Sequence, residues 1–91
     1  MDLHALPGSQ NGWNHSGRLG TINMMDHVMG LANAERSFSY MQTLAAFVSQ
    51  PEIAPIVPLF GIVNEIRWDL LDEITVKTYY AEALKMVRET T

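Results

Sequence analysis

Apolar positions between Ile22 and Ser49 fall on two lines when projected at 100° per residue, as on a helix. Ile22, Met25, Met29, Leu44 and Phe47 lie near one line, and Met24, Leu31, Phe38 and Ala45 lie almost opposite. No proline interrupts this stretch and Thr21 can cap it, so the pattern predicts a two-faced helix over 22–49. Asn33 and Arg36 break the first line and Gly30 weakens the backbone beside them, which predicts a bend or an inward polar contact there. Ser49-Gln50-Pro51-Glu52, followed by Pro55 and Pro58, predicts a compact elbow over 50–57, because each proline pushes its predecessor out of the α region.

From Pro58 to Glu89, Leu59, Val63, Ile66, Leu70, Ile74, Ala81 and Leu84 recur at three- and four-residue steps and predict a second helix over 58–89. Trp68, Thr75, Tyr79 and Met86 align on its other side as an aromatic and methionine stripe. The β-branched run Ile74–Tyr80 also fits a strand, but no turn residue flanks it. Upstream, Gly8, Gly12, Gly17 and Gly20 among Ser, Asn and Gln predict a flexible, extended arm over 1–20, which Trp13 could dock.

The expected fold class is therefore all-α: a Gly-rich arm, then an antiparallel helical hairpin domain over 21–91. A helix over 58–89 would be about 48 Å long, against about 30 Å for a compact domain of this size. Its outer apolar face would stay in water, so a second copy is expected to cover it, giving a homodimeric four-helix bundle.

Composition then removes whole classes. The 91 residues carry six Lys plus Arg against ten Asp plus Glu, a net charge of −4 that offers nothing to a phosphate backbone. The absence of cysteine removes disulfides and thiol chemistry. No leader-like segment and no long uncharged apolar run is seen, which predicts a cytoplasmic protein outside the membrane.

Chemical motifs are sparse. No Glu-x-x-His pair occurs for a metal, and His27 directly follows Asp26, about 100° away on a helix. Glu65, Asp69, Asp72 and Glu73 form an acidic strip that reads as a solvated face, with Glu73 and Lys77 spaced to pair. The serines lie in no nucleophile context and the glycines form no phosphate loop. These readings predict no catalytic residue, no cofactor and no metal. What remains is a small non-catalytic regulator that sequesters a partner protein, such as a transcriptional regulator, in the manner of an antiactivator or adaptor. Its expected contact surface is Trp68, Tyr79 and Met86, then Phe38 and Trp13. The alternatives are a helical-bundle small-ligand-binding protein or enzyme with an apolar pocket lined by Met24, Met25, Met29, Met41, Phe38 and Phe47, and a structural assembly subunit.

Overall fold

Two short extended segments, 1–4 and 59–64, lie side by side in the computed structural model, which describes residues 1–17 and 19–91. They run parallel and meet at one bridge between Asp2 and Gly61. Gly61 N–H donates to Met1 O (2.7 Å) and Asn64 N–H to Leu3 O (3.0 Å). Parallel neighbours need a crossover, and the first helix, α1 (Gly30–Val48), lies within it. The second helix, α2 (Glu73–Thr90), follows the second segment. Two short 3₁₀ turns, Asn14–Ser16 and Ala54–Ile56, complete the regular structure, and among the described residues there is no β-strand.

Helix α1 buries Gly30, Ala34, Ser37, Met41, Ala45 and Val48, a three-and-four repeat of small and flexible residues. It ends where Ser49 Oγ donates to Ala46 O (2.8 Å), just before Pro51. Asp72 caps α2, its carboxylate accepting from Thr75 N–H (2.9 Å) and Thr75 Oγ1–H (2.8 Å), and this holds the Asp72 carboxyl below its usual range. Helix α2 buries Val76, Tyr79 and Ala83 against α1.

Both helices begin later than the periodicity predicts. Residues 22–29 are irregular because the loop turns through left-handed backbone at Met25 (φ 70°) and His27 (φ 62°), burying Ile22, Met24 and Met25 together. Met25 N–H donates to Gly30 O (2.9 Å), and a Cβ on Gly30 would come within 2.9 Å of the Met25 carbonyl carbon. Asn33 provides the expected inward polar contact, donating Nδ2–H to Asn23 O (2.7 Å). Residues 58–72 are not helical because their backbone pairs with the start of the chain and then turns at Arg67–Leu71.

These shifts reverse the expected faces of the second helix. Leu59 is 77% exposed and Ile74 75%, whereas Tyr79, assigned to the outer stripe, is 4% exposed. A wheel run continuously from Pro58 loses its phase when the first fifteen residues are not helical. At 18 residues α2 is about 27 Å long, so the length argument for a dimeric four-helix bundle loses its premise. The molecule measures 39 × 24 × 19 Å. Residues 1–17 do not form a free arm, since Leu6, Ser9, Gln10, Asn11 and Ser16 are all buried. Arg18 lies outside the described residues. No helix among the described residues is long and apolar enough to cross a membrane.

The helix–helix contact centres on Tyr79, whose ring stacks on Phe38 (5.0 Å between centroids) and whose hydroxyl lies 2.6 Å from Ser37 Oγ. Ser37 gives its single proton to Ala34 O (2.6 Å), so Tyr79 donates to Ser37. Burial pushes the phenol up to about 12 and Tyr80 adds to this, opposed by the Ser37 hydroxyl, which can turn to donate to the ionised form. A raised folded value stabilises fully below the ordinary value of 10.0, and that contribution is lost as pH rises through about 12. Urea unfolding should therefore show wild type losing roughly 2–3 kcal/mol more than Tyr79→Phe between about pH 9 and 12. Parallel loss in both proteins would show that the phenol titrates at its ordinary value.

Candidate active site

The C-terminal ends of the two extended segments are tied together by one side chain. Gln10, completely buried, donates Nε2–H to His4 O (2.7 Å) and Asn64 O (3.2 Å) and accepts from Leu6 N–H at Oε1 (3.2 Å). It reaches this place through a tight turn in which Ser9 N–H donates to Leu6 O (3.1 Å), with Gly8 at φ 86° and Ser9 at φ 65°. A Cβ on Gly8 would collide with the Asn23 carbonyl, which packs against this turn. Asn11 Oδ1 accepts from Trp13 N–H (2.9 Å), and Ser16 Oγ donates to Trp13 O (2.7 Å) while contacting Ser9 Oγ (2.6 Å). The buried amides and hydroxyls thus replace regular structure in holding Trp13 and His15 at the rim.

Opposite them stands Glu65, directly after the second extended segment, in left-handed backbone (φ 49°) that non-glycine residues rarely adopt. Its Oε1 lies 3.0 Å from His15 Nε2 and accepts from Asn64 Nδ2 (3.2 Å). The Trp13 and His15 rings are 5.4 Å apart, and the Arg67 guanidinium lies 5.0 Å from the centre of the Trp13 ring. Arg67 makes two parallel bonds to Asp69 (Nε 2.8 Å, Nη2 2.6 Å), which hold the Asp69 carboxyl below its usual range and push the guanidinium up.

Beside this group opens a cleft of 540 Å³, whose lining mixes the polar Asp26, His27 and Arg67 with the apolar Trp13, Ile22 and Leu70. Among the described residues Asn11 Nδ2 is buried with no hydrogen-bond partner, a cost borne inside the loop that carries Trp13. A second groove of 300 Å³ lies between the helices and is lined mainly by Met25, Leu31, Ala34, Phe38, Ile74 and Tyr79.

The residues expected to form a partner surface are not brought together. Trp68 is 53% exposed but precedes α2, where it stacks on Tyr80 (6.2 Å, planes 3° apart). Tyr79 is in the core, and Phe38 and Met86 pack half-buried against it. Trp13, 38% exposed, stands at the cleft instead. The methionine pocket is divided as well: Met24 and Met41 are fully buried core, while Met29 and Phe47 point outward. The acidic strip dissolves, since Glu65, Asp69 and Asp72 precede α2 and only Glu73 is on it, paired with Lys77 (2.7 Å). Among the described residues no three His, Asp or Glu side chains are grouped to hold a metal ion.

Sequence reasoning read Gln10, Asn11 and His15 as parts of the arm and Glu65 as part of a solvated acidic strip, and gave none of them a functional role. The available signal was the short run Phe60-Gly61-Ile62-Val63 ending in Asn64-Glu65, which reads as a buried segment followed by a polar loop.

No protein-family model matches the chain. Curated relatives do. The chain is 37% identical to the probable glucan 1,3-beta-glucosidase D of Aspergillus flavus, and 38% identical to the proteins of that name from Aspergillus niger and Aspergillus fumigatus. Each alignment covers 89 residues, 98% of this chain, and the chain spans 11% of each relative's length. This similarity overturns the expectation of a regulator, antiactivator or transcription-control protein and points to a glycosidase-related module. The helix periodicity that supported a regulator is shared by any fold with packed helices, so it carried no functional information.

Proposed function

We propose that the chain is a glucosidase-type module that contributes one carboxylate, Glu65, and a sugar-facing aromatic, Trp13, to a site acting on 1,3-β-linked glucan. Two parallel extended segments, each followed by a helix, form the repeating unit of α/β barrels, where working residues sit at the C-terminal strand ends. His4 and Glu65 occupy those ends here. The observation that carries the reading is the placement of Glu65 at the end of the second extended segment, in strained backbone, held by His15 and Asn64 and joined through the His15 ring to Trp13, which lines the cleft. Of the other acids nearby, Asp26 lines the cleft and contacts His27 (3.5 Å), Asp2 contacts His4, Asp69 binds Arg67 and Asp72 caps α2 through Thr75; none of them stands at the end of an extended segment beside Trp13 and His15 as Glu65 does.

Glycoside hydrolysis uses two carboxyl groups flanking the scissile bond, one of them protonating the leaving oxygen. In this reading Glu65 is one of the pair, and the second comes from the rest of a relative-length protein. The 91 residues alone are then non-catalytic and bind sugar weakly. Exposed apolar side chains such as Leu31, Ile74 and Leu84 are covered by neighbouring units of the longer fold.

Titrating the chain with the 1,3-β-linked glucose disaccharide laminaribiose should change tryptophan fluorescence with a dissociation constant on the order of 1 mM. Trp13→Ala should abolish the response and Trp68→Ala should preserve binding measured by calorimetry. A wild-type chain that is folded by circular dichroism yet binds no disaccharide would overturn the cleft assignment.

A further inference from the structure

Trp13 sits on a loop, with its backbone tied by Asn11 and Ser16 but its side chain partly in water. Backbone bonds do not set the two side-chain torsions of a tryptophan. Among the described residues, the recorded ring contacts of Trp13 are His15 and Arg67. Arg67 is itself immobilised, because Asp69 binds its guanidinium through two parallel bonds and so fixes both its position and its plane. The turn carrying that pair is fastened by Arg67 O, which accepts from Leu70 N–H (3.2 Å) and Leu71 N–H (3.1 Å), and Leu71 is buried in the core. Contacts then close a ring: Glu65 to His15, His15 to Trp13, Trp13 to Arg67, with Arg67 two residues beyond Glu65.

We propose that Arg67, clamped by Asp69, is a positioning residue that fixes the Trp13 ring as a wall of the 540 Å³ cleft and thereby sets the affinity of the cleft for a glucosyl unit. The inference rests on the glucan reading for its ligand, but not for its geometry. A flat guanidinium held over the indole restricts the ring where a lysine ammonium, a mobile point charge, does not. The side chain of Arg67 acts through Trp13 and needs no contact with the sugar.

The test uses the whole chain with Trp68→Phe, which leaves Trp13 as its only tryptophan. Arg67→Leu, Arg67→Lys and Asp69→Asn are added separately, and far-UV circular dichroism checks folding. Acrylamide quenching of Trp13 should rise and its fluorescence anisotropy fall in Arg67→Leu and Arg67→Lys, with a smaller change in Asp69→Asn. Laminaribiose affinity should weaken about two- to fivefold in Arg67→Leu. Unchanged quenching and anisotropy in a folded Arg67→Leu protein overturn the proposal, as does a freed ring with unchanged affinity. If Arg67→Leu does not fold, Asp69→Asn, which keeps both the guanidinium and the indole, decides on the same two readouts. Should the parent protein bind no laminaribiose, the glucan reading fails on its own and the ring measurements still decide whether Arg67 positions Trp13.

Discussion

A chimera in which these 89 aligned residues replace their counterpart in the Aspergillus niger relative is expected to release glucose from 1,3-β-glucan, and Glu65→Gln within it to slow that release about 10²–10⁴-fold. Glutamine preserves the shape of the side chain and its contact with Asn64, but it can neither give a proton to a leaving oxygen nor carry the charge of a nucleophile. The loss should therefore fall on kcat, with KM changed little, because the substrate is held by other groups. Glu73→Gln is the matched control, since Glu73 lies on α2 and pairs with Lys77, and it should leave the rate within about twofold. Comparable activity of the Glu65→Gln and Glu73→Gln chimeras would remove Glu65 from the working pair.

Gln10→Leu is expected to unfold the chain or come close to it. The substitution keeps the volume but leaves Leu6 N–H, His4 O and Asn64 O without the partner that Gln10 supplies. A buried group left unpaired costs about 1–3 kcal/mol, a cost that falls in full on Leu6 N–H and in part on the half-buried bonds to His4 O and Asn64 O, so a total of about 2–4 kcal/mol is a large share of the stability of a small domain. Deleting residues 1–20 should be as damaging, for it removes Leu6 from the core and one of the two extended segments. A chemical denaturation curve is sufficient to decide. If Gln10→Leu shifts the midpoint no more than an exposed control such as Glu52→Gln, the polar plug does not hold the segments together. A deletion that left α1 and α2 intact would point the same way.

The two expectations show where sequence reading succeeded and where it failed. The helical character of 30–48 and 73–90 was legible from apolar side chains three and four apart, such as Leu44 and Phe47 on one helix and Ala81 and Leu84 on the other, but the buried faces were not: they are Ala34, Ser37 and Met41, and Val76, Tyr79 and Ala83. The start of α2 was not legible by the same means. Ile62, Val63 and Ile66 satisfy a helical wheel as readily as an extended run, and what selects the extended form is pairing with residues nearly sixty positions away. The glycine-rich stretch was read as an arm because its polar residues were counted as solvent-seeking. Gln10 and Asn11 are buried because other segments meet their hydrogen-bonding groups.

Local pattern, charge and residue chemistry by themselves determined that the chain forms two proline-separated helices, contains no cysteine and carries a net charge of −4. Those properties depend on neighbours in the chain or on composition alone. Only the tertiary structure decided that Trp13, His15, Glu65 and Arg67 are joined by successive contacts while Trp68 and Tyr79 part company. The reason is physical: a site assembled across a crossover depends on hydrogen bonds between distant backbone segments, and no periodicity within either segment records which partner it will meet.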